Sequence, residues 1–425
     1  MMRRREFLKP LGVSMAATAV GLDRLFSRQL FSEKGQTAGS PFFEKTSVFL
    51  PDQGFGVRLP GLLVTSGGPV LAVCQRRKGA MIDYGHDTDI LVQRSVDDGR
   101  TWGQQKPLFS EKGTFCLTGP IVEDRVTKTV FVAFWKLPTT APHDLKYFPT
   151  YAKTDGRFWL VKSTDQGRTW AEAIPVKARP NPAGWVGWSN NSVHGIQLTT
   201  GPHKGRLLIP GFLYKEGEEG QIPGVRGGVL FSDDHGSSWE VGGFLPAGSD
   251  EVTLAETSSG GVYANYRKNK PYNNAWRFHA WSNDGGENFS QQDSQPKDLP
   301  TPRCHGGLVR YASGKNGAGN TLLFSHPAGP RRSRVTVRAS YDDGRTWPLA
   351  KRIDDGPSGY SDLAVTADKT ILCVHEDSLD WPEDKLAAWY DSLTGYDYAT
   401  SRRRWCEKIS IARFNLEWLK ESSAT

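Results

Sequence analysis

Charged residues stand where apolar strands should not carry them. Arg58 interrupts the run Gly56-Val57-Arg58-Leu59-Pro60-Gly61-Leu62-Leu63-Val64. A buried guanidinium without a partner costs several kcal/mol, so Arg58 must meet an anion. Arg76 and Arg77 follow Val70-Leu71-Ala72-Val73 and precede the loop carboxylates Asp83, Asp87 and Asp89, and cations beside carboxylates suit acid catalysis. Standing alone, the same three aspartates read as a solvated loop. Glu251 opens a segment that runs to Glu256, turns at Gly260-Gly261 and returns through Val262 to Tyr266, ending on Arg267, so a single hairpin sets Glu251 beside Arg267. Arg331-Arg332-Ser333-Arg334 enters the strand Val335 to Ala339, and Gly359-Tyr360-Ser361-Asp362-Leu363 begins a hairpin that closes at Val374-His375-Glu376. His194, in Asn190-Asn191-Ser192-Val193-His194-Gly195-Ile196, reads as a structural histidine. With 53 Lys plus Arg in the chain a single arginine says little, and the matching placement of several at strand ends carries the weight.

The element that must position them is a repeated turn. Ser95-Val96-Asp97-Asp98-Gly99-Arg100-Thr101-Trp102 returns as Ser163 to Trp170, Ser232 to Trp239, Ser282 to Phe289 and Ser340 to Trp347. Each copy of S-x-D-x-G-x-x-(W/F) follows β-type residues such as Ile90-Leu91-Val92 or Val335-Thr336-Val337, which places it on the turn leaving a strand. The Asp accepts from nearby backbone N–H groups, the Gly supplies a positive φ and the aromatic gives the turn an apolar foot. The copies start 68, 69, 50 and 58 residues apart, room for a four-stranded propeller blade of ~40–50 residues with added loop. A propeller brings corresponding strands of successive blades to one central channel, so charges distant in sequence can converge there.

At 425 residues and 37% hydrophobic the chain can bury a large core, and the motifs run without a low-complexity linker, which favours one large β domain at residues 40–425. The formal charge of +7 is scattered apart from Arg3-Arg4-Arg5 and Arg402-Arg403-Arg404; it suits anionic sugars as well as nucleic acid, and no nucleic-acid partner is expected. Cys74, Cys116, Cys304, Cys373 and Cys406 have neither C-x-x-C nor zinc-ligand spacing, and no metal or cofactor is expected. Residues 1–39 read as an address: Arg4-Arg5-Glu6-Phe7-Leu8-Lys9 precedes the small, mildly apolar run Leu11 to Leu22, in the order of a twin-arginine export signal. Ala17-Thr18-Ala19 is a candidate cleavage site, and the run is shorter than the ~20 residues of a membrane span. The expectation is recognition by the twin-arginine machinery, a periplasmic or extracellular location and no stable membrane insertion of the mature chain.

From about Val48 to Leu419 the chain resembles the bacterial exo-alpha-sialidases, or neuraminidases, whose repeated turn is called the Asp box (BNR repeat). The resemblance rests on the five turns and on an ordered set of residues. It includes Val57-Arg58-Leu59-Pro60, and the closing Lys408-Ile409-Ser410-Ile411-Ala412-Arg413-Phe414-Asn415-Leu416-Glu417-Trp418-Leu419 is similar to the family's last strand and end. It implies an all-β, six-bladed propeller. It implies that Arg58, Arg267 and Arg332 grip a substrate carboxylate with Arg76 as auxiliary arginine, that Glu376 braces Arg58, that Tyr360 is the nucleophile with Glu251 as its base, and that Asp83 is the acid/base. Sialylated glycans are the implied substrate, hydrolysed with retention through a tyrosyl-enzyme intermediate. The chain departs from the family at Cys74, where a Glu is common, at Asp250, where an Asn is common, and in a loop from Asp83 to Asp89 that is a residue longer. Arg77 and Asp87 therefore stay open against Arg76 and Asp83. The competing readings are a propeller that only binds glycans or proteins, and a trans-sialidase or a glycosidase of a related nonulosonic acid.

Overall fold

The structure is a computed structural model that describes residues 40–51, 56–78, 85–141, 157–189, 191–217, 224–268, 276–291, 294–296, 298–312, 320–328, 332–378 and 407–421. The chain divides into two units, Met1–Ser40 and Pro41–Thr425, and the architecture is that of the second. After β1 (Phe43–Phe49), alternating runs of Val, Ile, Leu and Phe fold into five successive antiparallel sheets. They are β2 (Gly56–Val64) to β5 (Lys106–Ser110) by way of β3 (Val70–Arg77) and β4 (Thr88–Ser95); β6 (Thr114–Asp124), β7 (Thr129–Pro138), β8 (Arg157–Ser163) and β9 (Ile174–Lys177); and β10 (Val186–Trp188), β11 (Ile196–Gln197), β12 (Leu207–Tyr214), β13 (Val225–Ser232) and β14 (Glu240–Phe244). The fourth holds β15 (Ser249–Glu256), β16 (Val262–Lys268) and β17 (Phe278–Ser282), and the fifth β18 (Gly307–Ala312), β19 (Thr321–Pro327), β20 (Val335–Ser340) and β21 (Leu349–Arg352). The sixth takes β22 (Ser358–Val365), β23 (Ile371–Asp377) and β24 (Lys408–Phe414), and its outer place is filled by β1, which pairs with β24 from Phe43↔Phe414 to Phe49↔Ile409. This is a six-bladed β-propeller closed by its own first strand.

The strand-like runs of the sequence begin at Gly56 and leave β1 out. That omission also explains five boxes in six blades. A box leaves the third strand of a blade, leading among the described residues to a fourth in all but the blade of β15–β17, and in the last blade the fourth strand comes from the other end of the chain. After β24 the chain instead forms a short helix, α1 (Leu416–Lys420), capped by the Asn415 side chain and packed through Trp418 onto Phe43 at 4.5 Å.

All five boxes are built alike. In the first, Asp97 Oδ1 accepts from Ser95 Oγ (2.7 Å) and Thr101 N (2.9 Å), its Oδ2 accepts from Thr101 Oγ1 (2.6 Å), and Ser95 Oγ accepts from Gly99 N (2.9 Å). The positive φ expected at Gly99 (79°) is shared by the residue before it, Asp98 (57°), so two successive residues are left-handed. Ser95, Ser163, Ser232, Ser282 and Ser340 pair with Val70, Val130, Leu207, Val262 and Leu322, at the start of each blade's second strand. The boxes therefore occupy one face of the disc, and the starts of first strands and ends of second strands meet at the other.

The core is a ring of clusters between neighbouring blades. Trp135, Phe158, Trp188, Leu213 and Trp239 join blades two and three, and Val57, Cys74, Leu91, Leu372 and Ile411 join blades one and six. Among the described residues no helix is long and apolar enough to cross a membrane.

Candidate active site

At the mouth opposite the boxes, the innermost strands break their own alternation. Register shifts fall between Arg58 and Gly61 in β2, Ser249 and Val252 in β15, and Ser358 and Ser361 in β22. A bulge inserts an extra residue, bends its strand and re-aims a side chain. The bulges of β15 and β22 hold Glu251 and Tyr360, and Arg58, paired with Gln75, is the residue just before the bulge of β2.

Glu376, fully buried at the end of β23, ties two of these strands together. Its Oε1 accepts from Arg58 Nε (3.0 Å) and Leu59 N (2.9 Å), and its Oε2 from Tyr360 N (3.0 Å) and Arg58 Nη2 (3.4 Å). Leu59 sits at φ 60°, a left-handed position that a leucine adopts only when held there.

Tyr360 is 6% exposed, and its hydroxyl donates to Glu251 Oε1. Arg267, from the end of β16, reaches the same pair: its Nη1 donates to Tyr360 Oη (3.3 Å) and lies 3.0 Å from Glu251 Oε2. The guanidiniums of Arg58 and Arg332 stand 5.2 and 5.3 Å from the Tyr360 ring centroid. Arg332 is placed through its backbone, since its carbonyl accepts from Ser358 N (3.0 Å), two residues before the tyrosine. Burial pushes the Tyr360 hydroxyl well above its ordinary value near 10, opposed by Arg267, Arg332 and Arg58 and assisted by Glu251. In the resting site the proton belongs to the tyrosine and is already directed at a base.

Arg76 turns to Asp89, donating from Nε at 2.9 Å, and Lys78 Nζ meets the other oxygen of the same carboxylate at 2.6 Å. Asp89 belongs to β4 and is buried, and its carboxyl is held below the usual range: burial works against this and the bonds from Lys78, Ser110 and Arg76 outweigh it. Asp87 accepts from Gly113 N at 3.1 Å, and Arg77 is buried with its Nε on Gln75 at 2.8 Å. Asp83 lies outside the described residues. His194 bonds Asp362 at 2.8 Å, the structural part expected of it.

Several participants had no signal in the sequence. The carbonyl of Arg303 accepts from Arg332 Nη2 (2.8 Å) and Arg267 Nη1 (3.5 Å), a backbone contact that no side-chain pattern betrays. His305 packs its ring 5.7 Å from that of Tyr360 and is kept neutral by burial, which lowers it to about 3. Arg277, wholly buried, donates to Asn265 Oδ1 (2.6 Å) and the Cys304 carbonyl (2.9 Å), and burial brings it down to about 10. Asp250, which sequence reading marked only as a departure, accepts from Arg267 Nε at 2.9 Å. Among the described residues no group of three or more His, Cys, Asp or Glu side chains could hold a metal ion.

This arrangement offers a phenol hydrogen-bonded to a carboxylate, encircled by guanidiniums that would attract a substrate anion. A family model described as a BNR repeat-like domain matches residues 77–373. A sialidase of Micromonospora viridifaciens is 33% identical over 337 residues, which are 75% of this chain and 49% of that protein. A sialidase of Bacteroides fragilis is 27% identical over 77% of this chain and 61% of its own length, so the chain spans about half to three-fifths of these relatives. Among solved structures, Hadza microbial sialidase Hz136 superposes with a TM-score of 0.64 at 24% identity, over 75% of this chain and 63% of that one. An intramolecular trans-sialidase from Ruminococcus gnavus, in complex with oseltamivir carboxylate, gives 0.65 at 17% identity over 86% of this chain and 96% of that one.

Proposed function

The chain belongs to the family of BNR repeat-like domains, and on that premise we propose that it is a glycoside hydrolase of the sialidase type, an exo-alpha-sialidase that releases terminal sialic acids from glycoconjugates. The observation that carries the reading is the Tyr360–Glu251 hydrogen bond with Arg58, Arg267 and Arg332 gathered round it.

A sialic acid bears its carboxylate on the anomeric carbon. Guanidiniums grip that anion through planar, charge-assisted bonds. The same charge penalises a carboxylate nucleophile: at ~4 Å and an effective dielectric of 20 the repulsion is about 4 kcal/mol. A neutral phenol avoids it, provided a base takes its proton, because a tyrosine ionises only near pH ~10. Tyr360 Oη attacks the anomeric carbon as its proton passes to Glu251. Asp83 protonates the departing glycosidic oxygen, then removes a proton from the water that opens the glycosyl-tyrosine, and the product keeps its configuration.

The proposal extends to location. Arg4-Arg5 and the weakly apolar run behind them direct the chain through the twin-arginine route, to work outside the cytoplasm.

Hydrolysis of a fluorogenic sialoside tests the reading. The wild-type chain is expected to turn it over with retention. Tyr360→Phe should lose several orders of magnitude in kcat while still binding free sialic acid. Binding without turnover in the wild type would make the protein a lectin-like propeller, and release of an anhydro or transferred sugar in place of the free acid would make it a transferase.

A further inference from the structure

Asp250 and Glu251 are consecutive in β15, and in a regular strand their side chains would point to opposite faces. The bulge between Ser249 and Val252 cancels that alternation, and both carboxylates reach the same guanidinium. Asp250 Oδ2 takes Arg267 Nε at 2.9 Å and Nη2 at 2.8 Å, while Glu251 Oε2 stands 3.0 Å from Nη1. Asp250 is itself 5% exposed, and its backbone is pinned: a Cβ on Gly227 of β13 would meet the Asp250 carbonyl oxygen at 2.3 Å, a closeness that only glycine permits. The arrangement repeats on Arg58, whose Nε and Nη2 are turned to Glu376. In both arginines one edge faces a carboxylate of the protein.

We propose that Asp250 is a positioning residue, which clamps the Nε–Nη2 edge of Arg267 so that Nη1 stays on Tyr360 and Glu251. A guanidinium released from Asp250 has a second carboxylate within reach. It would rotate to present two N–H groups to Glu251, the stronger bidentate geometry, and so draw the base away from the tyrosine proton. The carboxylate grip of Arg58 and Arg332 would survive. This rests on the sialidase reading above.

The test compares Asp250→Ala and Asp250→Asn in the full chain, each checked for folding by thermal melting. Asp250→Ala is expected to lose about 10- to 100-fold in kcat, the scale of an ångström-sized misplacement, with KM for the fluorogenic sialoside within about threefold of wild type. Asp250→Asn keeps an oxygen toward the Nε–Nη2 edge and should recover part of the loss. Wild-type kcat in Asp250→Ala, or a KM raised tenfold at unchanged kcat, overturns the proposal. Should Asp250→Ala not fold, Asp250→Asn carries the comparison, with a kcat below wild type expected and a wild-type kcat decisive against. Crystal structures of the wild type and the folded variant need no turnover. Loss of the Arg267–Tyr360 contact in the variant supports the clamp even if sialosides prove not to be the substrate, and an unmoved Arg267 removes it.

Discussion

Glu376→Gln is the substitution that should separate bracing from chemistry. The carboxylate has no exposure and accepts four hydrogen bonds, two from Arg58 and one each from the N–H groups of Leu59 and Tyr360. Glutamine keeps the shape and a single acceptor oxygen. Its NH2 must then face two of those donors, and the Arg58 guanidinium loses its counter-charge. Removing one member of a buried ion pair costs about 3–5 kcal/mol. With an unfolding entropy of about 2.1 cal/mol/K per residue over the 385 residues of Pro41–Thr425, that corresponds to a Tm lower by about 4–6 °C. Activity should fall further than stability, because the lost bonds also hold Leu59 in its left-handed conformation and the Tyr360 backbone in its bulge; about 100-fold in kcat is expected from misplacement on that scale. Calorimetry with steady-state kinetics on the same preparation checks both. Glu421→Gln is the control, since its carboxylate lies 3.7 Å from Lys351 at the surface, where ion pairs contribute little. If Glu376→Gln melts and turns over like that control, the carboxylate does not organise the site.

Asp97→Ala removes three bonds of a box that lies on the other face, and should cost about 1–2 kcal/mol of stability with unchanged turnover per folded molecule, read by melting and active-site titration. The box aspartates Asp97, Asp165, Asp234, Asp284 and Asp342 are all held below the usual carboxylate value, Asp165 at about 2 chiefly by the Thr169 hydroxyl. Their stabilisation is therefore complete above the unfolded value near pH ~4 and lost as pH falls through the folded values, so multiple box substitutions should flatten the acid limb of Tm against pH. His194 shifts the other way: burial lowers it, and Asp362 more than compensates, leaving it raised above 6.5. The margin in Tm of wild type over His194→Gln should be full below pH 6.5 and shrink as pH rises through the folded value, and a pH-independent margin would exclude the ion pair as its source. Replacing Arg4 and Arg5 by lysine should retain the precursor in the cytoplasm, as followed by cell fractionation, and unchanged export would remove the location proposed above.

What the sequence disclosed follows from how local each interaction is. The box could be read because its bonds close within eight residues: Ser95, Asp97, Gly99 and Thr101 bond one another, and the same types recur at the same offsets in four more places. β1 escaped because what makes it a strand is Phe414, 371 residues away by number (414 less 43), while its own Glu44-Lys45-Thr46 is too polar to stand out. Arg58, Arg267 and Arg332 were visible as cations at strand ends, yet nothing along the chain said that Asp89 would engage Arg76 or that Asp87 would bond Gly113. The bulges are the deepest omission. Alternation predicts which face a side chain takes, and a single inserted residue reverses it for everything beyond. At Glu251 and Tyr360, and directly beside Arg58, that break is what lets strands of three blades address one point. The regular stretches of β2, β15 and β22 announce a strand because their pattern is unbroken, and the residues proposed to carry the chemistry sit at or beside its breaks. A reading by periodicity alone will therefore find the scaffold and misdirect the site, unless each charged interruption of a strand is treated as a possible bulge.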